Sequence, residues 1–251
     1  TETRHVVRKL PYSVMEYVEG PTLGQLVKDE GPLPVQRAIA LMLPVLSAVD
    51  AAHDAGVVHR DLKPPNIIVA SGGALPDPKV LDFGIAKPGD EESNLTQGET
   101  MLGTPEYMAP EQISETKEAD ARTDQYALGC ILYDCLTGRR AFRQKHFVEL
   151  LQAVSEGDFP APRDLNDGIP EALEAVVLKA MNVDPESRFP SLQSFGHALL
   201  PFAEVDVRAR WSLTFAEEDD RSSISDIHDR PTLDGTEKNG EKSRSTAAPP
   251  P

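Results

Sequence analysis

The feature that most constrains this chain is an eight-residue run, His59-Arg-Asp-Leu-Lys-Pro-Pro-Asn66, followed sixteen residues after Asn66 by Asp82-Phe-Gly84. Asp61, Lys63 and Asn66 place a carboxylate, an ammonium and a carboxamide on one loop, and Asp82 adds a second hard oxygen donor at the end of a β-like piece. Phosphoryl transfer needs that set: a carboxylate near the attacking hydroxyl, a cation to balance charge on the moving phosphoryl, and oxygen ligands for Mg²⁺. Taken singly, Asp61 and Asp82 could be turn carboxylates that cap nearby amides. The joint spacing argues against that.

Composition narrows the partners. The 251 residues carry 25 Lys+Arg against 41 Asp+Glu, a formal net charge of −16, which disfavours a nucleic-acid backbone or an anionic membrane surface. A 39% hydrophobic content can build a sizeable core, and two cysteines, Cys130 and Cys135, exclude a disulfide framework. No stretch is expected to reach the roughly 18 apolar residues of a spanning helix; the longest candidate, 39–49, is shorter and contains Pro44. With neither an initiator Met nor a signal peptide, the expectation is a cytoplasmic fragment of something longer, with any membrane anchor of the parent lying downstream.

Along the chain, 12–18 reads as a strand entering the turn Glu19-Gly-Pro21, and Thr22-Leu-Gly-Gln25 fits a capping box that opens a short helix to about Lys28. Apolar residues at helical spacing predict a helix over 35–55, closed by Gly56 and strained by Pro44. Short β-like pieces follow at 57–59, 66–69 and 79–81, then a polar, aperiodic loop over 85–104 of a length that is usually functional. Helical patterns occupy 124–137, 147–156, 171–182 and 192–202. Order is expected to fade beyond about Val205, with Trp211 and Phe215 as docking points. Residues 216–251 hold nine acidic and five basic groups and end in Ala-Ala-Pro-Pro-Pro, the composition of a disordered tail. His53 reads as a core or near-surface residue, and the two cysteines as small hydrophobes.

Together the motifs resemble those of the eukaryotic-like Ser/Thr protein kinases found widely in bacteria. The resemblance covers about 12–204. It implies an α+β, mainly helical fold: a protein-kinase C-lobe over 21–204, preceded at 1–20 by a remnant of N-lobe strands and the hinge, and followed at 205–251 by an acidic tail. It implies ATP and Mg²⁺ as cofactors, protein Ser/Thr hydroxyls as acceptors and self-association for autophosphorylation, while the acidic balance, not the resemblance, argues for no nucleic acid as a partner. By match, Asp61 orients the substrate hydroxyl and accepts its proton, Lys63 contacts the γ-phosphoryl, Asn66 and Asp82 hold Mg²⁺, and Phe83, beside Gly84, packs behind the site. Met15-Glu-Tyr-Val18 resembles the hinge, so Glu16 and Val18 meet adenine through backbone groups, Met15 guards the back pocket, and Ile68 forms its floor.

Gly103-Thr-Pro-Glu-Tyr-Met-Ala-Pro-Glu111 resembles the segment that binds the acceptor residue. There Thr104 bridges Asp61 and Lys63, and Glu111 pairs with Arg188. Asp124 matches a buried Asp that fixes the catalytic-loop backbone, with a plain helix N-terminal carboxylate as the alternative. Arg60, a cation beside the base, implies neutralisation by a phosphate at Thr96 or, less in register, Thr100. The sequence departs from the family in having no Gly-x-Gly-x-x-Gly loop and no Val-Ala-Ile-Lys-like strand, and in carrying Pro65 where Glu or Ser is common. The small lobe is therefore expected to be largely missing, and this chain alone weakly active or inactive. Two other classes compete: a non-catalytic pseudokinase scaffold, and a small-molecule kinase of the antibiotic-phosphotransferase kind, which lacks a counterpart of 103–111.

Overall fold

The computed structural model describes residues 16–70, 76–83, 105–114 and 120–216, all within one compact unit. Its helices are α1 (Leu23–Glu30), α2 (Val35–Asp54), α3 (Pro110–Ser114), α4 (Ala121–Thr137), α5 (Phe147–Glu156), α6 (Pro162–Leu165), α7 (Glu171–Ala180), α8 (Leu192–Leu199) and α9 (Val205–Trp211). One antiparallel pair, β1 (Ile67–Ala70) and β2 (Asp77–Val80), sets Ile67 opposite Val80 and Ala70 opposite Asp77. The fold is mainly helical with a little strand, as the α+β expectation has it.

Local chemistry explains the boundaries. In α1 both halves of the capping box form: the Gln25 amide donates to Thr22 Oγ1 at 3.2 Å, and the Thr22 amide donates to Gln25 Oε1 at 3.0 Å. Helix α4 starts at Ala121, three residues before the expected Asp124, because the Asp120 side chain caps it by accepting from the Arg122 amide. It ends at Gly138, whose φ of 68° suits a residue without Cβ. Every residue of α4 from Thr123 to Thr137 is buried, as expected for a helix enclosed on all sides.

Helix α2 runs unbroken through Pro44. By length and hydropathy it could cross a membrane, which the apolar-run reading missed. Here it is a core helix: Ile39, Met42, Leu43, Leu46 and Val49 are fully buried where it packs on α4, α8 and β2. That burial offsets the cost of the missing backbone donor.

Several expected elements shift. Residues 57–59 form no strand, because the His59 amide is taken by the Asp124 carboxylate rather than by a neighbouring strand. Asn66 ends a 3₁₀ turn (Pro64–Asn66), and the second strand lies at Asp77–Val80 rather than 79–81. Residues 16–18 carry no strand, and 12–15 lie outside the described residues. Pro201 closes α8 early, leaving a 3₁₀ turn at Leu200–Phe202.

The ordered body also continues past the boundary expected at 204. Helix α9 follows, and Phe215 is fully buried. A Cβ on Gly196 of α8 would lie 2.2 Å from the Phe215 ring, so this ring occupies space that only glycine leaves. The His197 ring, through Nδ1, hydrogen-bonds the Phe215 carbonyl at 2.9 Å. Phe215→Ala should therefore cost about 3–5 kcal/mol in chemical denaturation, the range for a buried Phe, whereas a freely solvated residue would cost nothing measurable.

Candidate active site

Four elements deliver the site: the loop after α2, the 3₁₀ turn before β1, the end of β2, and the N-terminus of α4. Asp124, 1% exposed, is the fixed point. Its Oδ2 accepts from the His59 amide at 2.8 Å and its Oδ1 from the Arg60 amide at 2.9 Å. The His53 ring on α2 adds a third hydrogen bond, Nε2 to Oδ2 at 2.8 Å. A buried carboxylate on three donors is what its desolvation demands. Asp124 thereby holds two consecutive backbone amides of the loop. His53, read from sequence as bland, belongs to the same network, and a partner 71 residues away leaves no local signal.

From that anchor the loop presents its reactive groups. Lys63 Nζ donates to both carboxylate oxygens of Asp61, at 3.0 and 2.8 Å. Asn66 Nδ2 donates to the Asp61 carbonyl at 2.9 Å, which leaves the amide oxygen available as a hard ligand. The Leu81 amide donates to the Asn66 carbonyl at 2.8 Å, holding the residue before Asp82 against Asn66. The buried His59 ring ties the two segments from behind: Nε2 hydrogen-bonds the Leu81 carbonyl at 2.9 Å, and the ring packs on Phe83 with centroids 5.1 Å apart. Asp61, Lys63 and Asn66 thus come to one place, with the backbone that leads into Asp82 held beside Asn66. Asp82 is exposed and Asp61 partly so, as groups that meet a ligand must be.

Two residues of this site, Arg60 and Asp82, hold positive φ angles of 64° and 59°, where side chains other than glycine's are strained. Arg60 is exposed, and its guanidinium has no ion pair among the described residues. Ile68 on β1 bridges to Thr22. The chain before Thr22 approaches so closely that a Cβ on Gly20 would meet the Val69 carbonyl oxygen at 2.1 Å, and the Val69 amide donates to the Pro21 carbonyl at 2.9 Å, which sets residues 20–22 alongside β1. Met15, Gly84, Thr96, Thr100 and Thr104 lie outside the described residues.

Behind the loop, Arg188 and Glu111 form a bidentate pair, both contacts 2.7 Å, with the Arg188 side chain fully buried. Its remaining donors reach the carbonyls of Asn182, Arg122 and Val183, and its guanidinium lies over the Tyr126 ring. Sequence reading missed a second buried contact, the Tyr107 hydroxyl donating to Asp134 Oδ2 at 2.6 Å. Burial pushes the Asp134 carboxyl up to about 7, with the Tyr107 hydrogen bond and Arg140 pulling it back and Glu106 adding to the rise.

The protein kinase domain matches residues 7–200, most of the chain. The chain belongs to the protein kinase family. It is 42% identical to serine/threonine-protein kinase PknB of Mycobacterium leprae over 181 residues, 72% of this chain and 28% of that protein. A probable serine/threonine-protein kinase PknB of Lactococcus lactis is 36% identical over 243 residues, 94% of this chain and 38% of that protein. A probable serine/threonine-protein kinase of Corynebacterium efficiens is 40% identical over 185 residues, 72% of this chain and 27% of that protein. These similarities support the eukaryotic-like bacterial Ser/Thr branch. The chain spans less than two fifths of the length of these relatives.

Two measurements check the supports of the site. Glu111→Gln should destabilise by about 3–5 kcal/mol, since it leaves a buried guanidinium uncompensated; a loss below 1 kcal/mol would show that the pair is dispensable. For Asp134 the folded carboxyl titrates above its unfolded value near 3.9, so the unfolded chain loses this proton first. Stability should fall as pH rises from about 4 to about 7, and Asp134→Asn should remove a component of that fall on the order of 2–4 kcal/mol in denaturant titrations across the range.

Proposed function

We propose that the protein containing this chain transfers the γ-phosphoryl group of ATP to Ser and Thr hydroxyls of proteins. The observation that carries this reading is the meeting of Asp61, Lys63, Asn66 and the Asp82 segment at one end of the helical body. In this reading Asp61 orients the acceptor hydroxyl and takes its proton. Lys63, already on Asp61, balances the charge that develops on the γ-phosphoryl oxygens.

The Asn66 amide oxygen and the Asp82 carboxylate are oxygen donors of the kind Mg²⁺ prefers, and they would hold it against the phosphates. When bound, the ion neutralises charge on the β- and γ-phosphates. Backbone groups of Glu16 and Val18 would receive adenine over Ile68, with Met15 behind it. Thr104 would bridge Asp61 and Lys63, and Phe83 and Gly84 would set the orientation of Asp82. All four reactive positions keep the side chains that transfer requires, which argues against a purely non-catalytic scaffold.

Regulation follows from Arg60. A cation beside the base, with no ion pair among the described residues, favours a nearby phosphate, and Thr96, then Thr100, are its candidate carriers. Copies of the protein associating with one another would supply that phosphate by autophosphorylation. The net charge of −16 argues against nucleic acid as a partner, and a cytoplasmic site of action fits a protein that spends ATP on protein hydroxyls.

In the full protein, Asp61→Asn should lower phosphoryl transfer to a Ser/Thr peptide by at least about 10³-fold with the circular-dichroism melt unchanged. Asp82→Ala should abolish Mg²⁺-dependent turnover as well. Near-normal transfer by either folded variant would overturn the assignment.

A further inference from the structure

The segment Gly138–His146 departs from the acidity of the rest of the chain. Within seven residues it carries Arg139, Arg140, Arg143 and Lys145, and no acidic side chain follows until Glu149. All four cations are exposed. Arg140 is the engaged one, pairing with Glu106 at 2.6 Å. Among the described residues Arg139 and Arg143 make no ion pair. Their side chains border two adjoining hollows, of about 440 and 380 Å³, with Asp158 the one carboxylate on the wall of the second and Glu106 on that of the first.

Position gives this patch its meaning. The pair Arg140–Glu106 and the buried bond Tyr107–Asp134 join the patch to the turn Pro105–Tyr107, which follows directly on Gly103-Thr104. Helix α4 links the patch to the catalytic loop: Asp124 holds that loop at one end, and Asp134 lies ten residues on, about 15 Å at the helical rise. The cations come a few residues later still. An extended peptide advances about 3.3 Å per residue, so a chain with its hydroxyl at Asp61 reaches the patch about five to seven residues away.

We propose that Arg139 and Arg143, supported by Lys145, form a docking surface for acidic side chains on the protein substrate, about five to seven residues from the phosphoacceptor. This rests on the kinase reading and names the substrate class it serves. Charge complementarity selects the occupant: two guanidiniums over hollows, without ion pairs among the described residues, favour a run of Glu or Asp, and the net charge of −16 disfavours such a peptide elsewhere on the chain. Arg140 takes a different part, since its guanidinium is spent on Glu106 and fixes the patch to the turn.

Two arms test this. In the first, fluorescence anisotropy on the full protein measures binding of labelled peptides in which Ala replaces the acceptor. Each peptide has a four-residue Glu run five to seven residues from that position, on one side or the other, or a Gln run in its place. One Glu peptide should bind about tenfold more tightly than its Gln partner at low salt, with the difference shrinking as salt rises. Arg139→Gln/Arg143→Gln should bring the two within about twofold, while Arg139→Lys/Arg143→Lys should keep most of the preference. In the second arm, the same peptides with Thr restored should show the preference in KM with kcat unchanged, and the Gln peptide should be turned over equally by parent and double variant.

Equal binding of Glu and Gln peptides, a preference that survives the double Gln variant, or tight binding without kinetic preference would each overturn the proposal. If the binding preference holds but no peptide is phosphorylated, the kinase reading fails while the cationic docking surface stands.

Discussion

One buried carboxylate organises this molecule. Burying the Asp124 side chain is costly unless hydrogen-bond partners surround it, and the partners it finds are the two consecutive amides that start the catalytic loop and the ring of His53. The loop is thereby referenced to α4, the most enclosed element of the core. The same helix meets the other supports along its length. Gln125 exchanges two hydrogen bonds with the backbone of Phe189, Arg188 reaches the Arg122 carbonyl, and Asp134 receives the Tyr107 hydroxyl. Close contact with α7 fixes its depth, because a Cβ on Gly129 would lie 2.9 Å from Met181 and 3.0 Å from Ala180.

That rigidity is needed because the site is strained. Positive φ at Arg60 and Asp82 costs on the order of 1–3 kcal/mol each and persists only where the surroundings over-determine it. At Arg60 the Asp124 carboxylate does so by holding the amide. At Asp82 the work falls to the preceding Leu81, whose amide is bound to Asn66 and whose carbonyl is bound to His59, and to Phe83 packed on that same ring. The strained backbone aims two functional side chains outward from an ordinary helical core.

Much of this was legible in the sequence because the chemistry is local. The catalytic-loop spacing of Asp61, Lys63 and Asn66 and the capping box at Thr22 are of that kind, whereas the Glu111–Arg188 pair, 77 positions apart, was legible only through the family resemblance. What escaped reading depends on distant contacts that no motif announces. His53 meets Asp124 across 71 positions, and Tyr107 meets Asp134 across 27, with nothing near either to announce a partner. The end of the body was misplaced because residues after Val205 look polar, whereas the burial of Phe215 rests on a glycine one helix earlier. The β-like 57–59 segment failed as a strand because a side chain claimed its backbone donor.

The most direct test of the central claim is amide hydrogen exchange at His59 and Arg60 in Asp124→Asn. A carboxamide has one acceptor oxygen where the carboxylate has two, so one loop amide loses its partner and faces an NH₂ group instead. Exchange at one or both of these amides should accelerate by about tenfold or more while the amides of α4 and α2 keep their protection. Unchanged exchange at both positions, in a variant that remains folded, would show that the loop is held by something other than this carboxylate.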